Sequence, residues 1–107
     1  MEQVEFERAM AELRKDYMQT LPERLEEVER AWDHASGSDW DEAQYKTFIR
    51  LTHNLAGSGA TYGAKQISEA ARRLETYAKS VDVNAALSED ERAEIRALME
   101  PLKESIQ

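Results

Sequence analysis

The sequence contains no cysteine, which excludes disulfide bonds, zinc-thiolate sites and cysteine nucleophiles. It also has no apolar run close to the roughly 20 residues that a membrane-spanning helix needs, and its acidic N-terminal segment is unlike a signal peptide. We therefore expect a cytoplasmic protein that does not associate with membranes. Only four glycines and two prolines occur in 107 residues, and long stretches without either residue favour helices.

Basic residues are scarce, at 14 against 22 acidic ones, and the resulting net charge of −8 opposes binding to nucleic acid or to an anionic membrane. The charge is unevenly spread. Residues 46–80 hold six basic and two acidic side chains, whereas the rest of the chain carries a net charge of −12. This distribution fits either chance clustering on solvated helix faces or a basic face that meets an acidic partner or a phosphoryl group.

Apolar residues recur at spacings of three and four over four stretches of the chain, 3–33, 39–61, 64–81 and 88–105. This spacing is typical of amphipathic helices, and no segment shows the sustained alternation of a strand. The pattern predicts an all-α protein, an antiparallel up-down four-helix bundle formed by a single domain over residues 1–107. We expect a bundle of this size to be a monomer.

Both prolines fall inside predicted helices. Because proline removes a helical hydrogen bond and disfavours helical geometry at the preceding residue, we expect a break near Thr20–Pro22 and an extra N-terminal helix that covers one end of the bundle. Pro101 is expected to kink or end the last helix. Ser88 and Glu91 form a predicted capping box, Asp39 or a neighbour is expected to cap the second helix, and 34–38 and 82–84 are predicted loops.

His53 is not part of the predicted core. A helical projection of 46–62 at about 100° per residue points its side chain away from the apolar face of the helix. Lys46 and Arg50 lie on one flank of His53, and Gly57 follows one turn later. Glycine inside a helix costs about 1 kcal/mol relative to alanine. Three explanations of Gly57 stay open: close packing against another helix, fraying near the end of the helix, or an open approach to the imidazole.

Ile49 is unusual on the same outward face. It either touches a neighbouring helix or forms part of a docking surface with an apolar centre and a polar rim. The residues predicted to contact a partner there are Ile49, Asn54, Ala56 and Ala60. Neither His34 nor His53 has a glutamate three residues before it, so we expect no di-metal site and no cofactor bound by the chain itself.

The segment from Arg50 to Ser58, with Gly63 and the Leu74-Glu75 pair, resembles the histidine-containing phosphotransfer (HPt) domains of bacterial phosphorelays. The resemblance implies a helical bundle in which His53 accepts a phosphoryl group from the aspartate of one receiver domain and passes it to another. It implies that the partners are receiver domains of response regulators or a hybrid histidine kinase, and that Mg²⁺ is bound by the receiver. Autonomous kinase activity is not expected, because no glycine-rich phosphate loop is present.

One position departs from the family pattern, since Ala56 stands where the family has a lysine that helps to neutralise the phosphoryl group. Lys46 and Arg50 are predicted to compensate for its loss. The alternative is a non-transferring helical interaction module that docks receiver or kinase domains. Glu75 is expected level with His53 on the next helix, where it either fixes the imidazole tautomer or pairs with Arg72 or Lys79.

Overall fold

The computed structural model describes residues 2–82 and 86–106, and this part of the chain forms four α-helices and no strand. The helices are α1 (Glu2–Ala35), α2 (Glu42–Thr61), α3 (Lys65–Ser80) and α4 (Glu89–Ile106). Helix α2 packs between α1 and α3, and α4 packs against α3 and α1. The predicted all-α bundle is confirmed. Of the predicted loop at 82–84, residues 83 and 84 lie outside the described residues.

Side-chain caps fix where α2 and α4 begin. The Asp41 carboxylate accepts a hydrogen bond from the Gln44 backbone N–H at 3.1 Å, which satisfies a free donor of the first turn of α2. Before α4, the Ser88 N–H donates to the Glu91 carboxylate at 2.8 Å, and the Glu91 N–H donates to the Ser88 hydroxyl at 3.1 Å. The predicted capping box is therefore confirmed.

The predicted break near Thr20–Pro22 is wrong, because α1 is one continuous helix with Pro22 inside it. Tyr17, Leu21 and Leu25 are buried on one face on both sides of the proline, so packing holds the helical course. Pro22 removes the helical hydrogen bond to the Met18 carbonyl, and because Met18 is exposed, water can bond to that carbonyl instead. Likewise, α4 continues through Pro101 to Ile106, because Leu102 is fully buried.

The first half of α1 does not cover the end of the bundle as a separate helix. Residues 2–16 are exposed except for the partly buried Met10, and the protein is 57 Å long but only about 20 Å across. The side chains of Phe6 and Leu13 are 66% and 48% exposed. This segment therefore projects beyond the other three helices.

Aromatic side chains fill the opposite end of the core. Trp32 of α1 contacts Phe48 of α2 with ring centroids 5.5 Å apart, and Tyr45 packs against both rings. The Tyr45 hydroxyl donates to the Ala78 carbonyl at 2.8 Å, which links α2 to α3. Burial, with a smaller contribution from the charge of Glu91, raises the pKa of the Tyr45 hydroxyl. Within the described residues, no helix is both long and apolar enough to cross a membrane.

Candidate functional site

His53 lies in the middle of α2 on its solvent-facing side. Phe48, Thr52 and Leu55 of the same helix are buried, so the periodicity of α2 turns His53 outward. The His53 side chain is 68% exposed. The outward position predicted for this histidine is therefore confirmed.

The Nδ1 atom of His53 lies 2.7 Å from Oε2 of Glu75 on α3. Because a carboxylate only accepts hydrogen bonds, Nδ1 carries the hydrogen in this contact. In the neutral imidazole the other ring nitrogen, Nε2, is then left with its lone pair, and it lies on the side of the ring away from Glu75. The two alternatives for Glu75 are both partly realised, since Lys79 Nζ lies 3.8 Å from the same oxygen. Glu75 is buried, however, and is not an ordinary surface glutamate.

A groove of about 470 Å³ between α2 and α3 adjoins this contact. His53, Ala56 and Gly57 line it from α2, and Arg72, Glu75, Thr76 and Lys79 line it from α3. We call this the His53 groove. It combines the imidazole with two positively charged side chains and one hydroxyl group.

The two glycines near the end of α2 differ in their surroundings. A Cβ atom at Gly57 would have no neighbour within 4 Å, whereas a Cβ atom at Gly59 would lie 3.1 Å from the backbone nitrogen of Ser68. Close packing against another helix therefore explains Gly59 and not Gly57. Helix α2 continues past Gly57 to Thr61, so the helix does not end at this glycine. The empty space at Gly57 is compatible with an open approach to the imidazole, which stays a prediction.

Lys46 and Arg50 do not reach the His53 groove. Among the described residues that line it, neither is present. Lys46 instead lies 3.6 Å from Glu42 one turn earlier on α2, and Arg50 is exposed. Both residues lie toward the start of α2 and outside the groove, and their compensation for the family lysine stays a prediction.

The predicted docking residues divide into two groups. Asn54 and Ala60 are exposed, and Ile49 is half-buried against the core, so these three contribute to the outward face of α2. Ala56 is only 3% exposed, and its carbonyl accepts a hydrogen bond from Ser68 of α3 at 2.7 Å. The projection placed Ala56 on the outward face, but α3 covers it, so it forms the floor of the groove and not a contact surface.

Sequence reasoning missed Thr76, and it named Arg72 and Lys79 only as possible partners of Glu75 without placing their side chains beside His53. The signal that reveals them is the antiparallel pairing of α2 and α3. Because Glu75 lies opposite His53, Arg72 and Lys79, which are three residues before and four residues after Glu75 on the same face of α3, lie on either side of the imidazole. Among the described residues, no group of three or more His, Asp or Glu side chains is placed to hold a metal ion.

A family model, described as Hpt domain, matches residues 12–105. The chain belongs to the Hpt domain family. Hpt domains take part in phosphotransfer in two-component phosphorelays, in which they interact with receiver domains and kinases. No curated protein and no solved structure matches the chain. The match begins within α1 and includes the whole His53 groove.

Proposed function

We propose that this Hpt domain is a phosphorelay intermediate in which Nε2 of His53 accepts a phosphoryl group from a receiver-domain aspartate and passes it to another receiver. The contact between His53 Nδ1 and Glu75 at 2.7 Å carries this proposal. It holds the hydrogen on the inner nitrogen and presents the lone pair of the outer nitrogen to a partner. The 68% exposure of the imidazole gives that partner access.

The transfer needs few groups from this chain. The Nε2 lone pair attacks the phosphorus of the aspartyl phosphate, an N–P bond forms, and the acyl O–P bond breaks with its electron pair left on the aspartate carboxylate. Nδ1 keeps its hydrogen, so positive charge develops on the ring beside the Glu75 carboxylate, which stabilises it. In the second transfer a carboxylate oxygen of the next receiver attacks phosphorus, and the N–P electron pair returns to Nε2.

The partners that fit this chemistry are receiver domains of response regulators or of a hybrid histidine kinase. The receiver would supply the acidic pocket and the Mg²⁺, and this chain would supply the nucleophile and a docking surface on α2. The exposed residues Asn54, Gly57 and Ala60, with the half-buried Ile49, are the part of that surface closest in sequence to His53. Monomeric state and cytoplasmic location stay predictions.

The test is phosphoryl transfer from a phosphorylated receiver to the purified chain. We expect an acid-labile, alkali-stable label on the wild type and none on His53→Gln. His34→Gln, which removes the only other histidine, is the matched control and should be labelled like the wild type. Glutamine retains an N–H donor for Glu75, so circular dichroism of the His53→Gln variant should be unchanged.

The alternative of a non-transferring interaction module is favoured by Ala56, which replaces the family lysine. The same experiment separates the two functions. A receiver that binds the chain but leaves no label on His53 would favour the module, whereas a label that depends on His53 favours the relay.

A further inference from the structure

We propose that Arg72 of α3 supplies the positive charge beside the phosphoryl group on His53, in the same groove in which Ala56 of α2 replaces the family lysine. This inference rests on the proposed phosphotransfer function. It assigns a role to a residue on the opposite helix, and it makes Ala56 compatible with an active relay protein.

The antiparallel packing of α2 and α3 determines which residues of α2 lie opposite Arg72. His53 contacts Glu75, and the Ala56 carbonyl contacts Ser68, so moving forward along α2 corresponds to moving backward along α3. Arg72 lies between Ser68 and Glu75 on α3, so these two contacts place it between the levels of Ala56 and His53 on α2. It shares the helix face of Glu75, because positions three apart in a helix are neighbours.

The guanidinium group of Arg72 is free to bind a ligand. Among the described residues it forms no ion pair and no hydrogen bond, and the residue is exposed while lining the His53 groove. Lys79 is the other cation of the groove, but its ammonium group lies 3.8 Å from Glu75 Oε2. Lys79 thus already compensates a carboxylate, whereas Arg72 has no partner in the described structure.

The chemistry of the groove favours an arginine at this position. A phosphoryl group carries between one and two negative charges near pH 7, and on His53 it would lie close to the carboxylate of Glu75. A guanidinium group can donate two parallel hydrogen bonds to phosphoryl oxygens. The space above Gly57, where a Cβ atom would have no neighbour within 4 Å, leaves the Arg72 side chain room to approach.

The experiment uses phosphoramidate, which donates a phosphoryl group to histidine directly, so that no receiver is needed. The full chain is labelled and followed by ³¹P NMR, which gives the lifetime of phosphohistidine and the second pKa of its phosphoryl group. The variants are Arg72→Gln, Arg72→Lys, Lys79→Gln and Arg73→Gln, together with Ala56→Lys in the Arg72→Gln background. Arg73 is the matched control, since it is the adjacent arginine on α3 and, like Arg72, borders the groove against α4, but it does not line the His53 groove.

We expect Arg72→Gln to shorten the phosphohistidine lifetime about tenfold, the size expected for loss of one charge-assisted hydrogen bond. The second pKa of the phosphoryl group should rise in this variant, because the nearby positive charge favours the dianion. Arg72→Lys keeps the positive charge but cannot donate two parallel hydrogen bonds, so it should retain most of the effect on the phosphoryl pKa and only part of the effect on the lifetime. Arg73→Gln should leave both properties unchanged. Ala56→Lys should restore the lifetime in the Arg72→Gln background, because it returns a cation to the same groove.

Equal lifetimes and equal phosphoryl pKa values in Arg72→Gln and Arg73→Gln would overturn the assignment of Arg72 while leaving the relay function intact. A loss confined to Lys79→Gln would overturn it as well and assign the charge to Lys79. Failure of the wild type to become labelled at His53, by phosphoramidate or by any phosphorylated receiver, would instead overturn the proposed function itself.

Discussion

At the scale of single residues, one carboxylate oxygen of Glu75 contacts both His53 and Lys79 in the His53 groove. Oε2 of Glu75 lies 2.7 Å from His53 Nδ1 and 3.8 Å from Lys79 Nζ. Glu75 is 9% exposed, and a buried carboxylate costs free energy unless it is paired. Lys79 and His53 together provide that pairing. Glu75 is therefore a positioning residue, which acts on the phosphoryl group only through the ring that it orients.

Removal of the Glu75 side chain should change the tautomer of His53. In Glu75→Leu the Nδ1 hydrogen has no acceptor, so we expect a mixture of tautomers and labelling by phosphoramidate about tenfold slower, as for loss of one hydrogen bond to a charged group. Glu75→Gln keeps an acceptor oxygen and should fall between Glu75→Leu and the wild type. ¹⁵N NMR of the imidazole reports the tautomer, and a Glu75→Leu variant that kept its hydrogen on Nδ1 would contradict this role.

At the scale of the elements, the packing of α2 on α3 positions the site. Gly59 allows the two backbones to approach closely, Ser68 Oγ donates to the Ala56 carbonyl, and the Tyr45 hydroxyl donates to Ala78 near the other end of the pair. Gly63, with a φ of 75°, allows the turn between the helices. These contacts determine which residues of α2 lie opposite Glu75 and Arg72.

The two glycines of α2 should therefore respond differently to alanine. Gly57→Ala should stabilise the fold by up to about 1 kcal/mol, because alanine is the better helix former and the new methyl group meets no neighbour. Gly59→Ala gains the same propensity but places its Cβ atom against the backbone of α3, so it should be less stable than Gly57→Ala by about 1–3 kcal/mol. Urea unfolding of the two variants measures this difference.

Activity provides the second measurement on the same pair. If Gly57 keeps the approach to His53 open, Gly57→Ala should slow transfer from a receiver despite its greater stability. Transfer at the wild-type rate in Gly57→Ala would show that the open space beside the imidazole is not needed by the partner.

At the scale of the whole molecule, α1 is much longer than the bundle that it helps to form. Its contacts with the other helices include Arg14 Nε, which donates to the Tyr62 carbonyl, and Tyr17, which stacks on Tyr62 with ring centroids 4.7 Å apart. The preceding turns carry Phe6 and Leu13 into solvent. Burial of apolar surface stabilises a fold, so the two halves of α1 contribute unequally to stability.

Alanine substitutions along α1 should reveal that inequality. Leu21 is 1% exposed, and Leu21→Ala should destabilise the protein by about 2–5 kcal/mol. Phe6 is 66% exposed, and Phe6→Ala should change the free energy of unfolding by less than about 0.5 kcal/mol. Thermal unfolding at several protein concentrations measures both. A large, concentration-dependent loss for Phe6→Ala would show that another chain covers this part of α1.

The sequence by itself determined the helices, the capping box before α4 and the outward direction of His53. All three depend on residues close together in the chain, where side-chain periodicity and local hydrogen bonds act. The family pattern around His53 also lies within a short segment. These features can therefore be predicted without knowledge of how the helices pack.

Only the tertiary structure decided how α1 passes Pro22, which glycine serves packing and which cation faces His53. At Pro22, burial of Tyr17 and Leu21 outweighs one lost hydrogen bond. Helix propensities describe single residues and do not include this tertiary packing, so they do not predict a continuous α1. Ala56 is exposed on an isolated α2 and buried once α3 is in place. Arg72 is distant from His53 in sequence and lines the same groove because two antiparallel helices pack at the level that Gly59 permits.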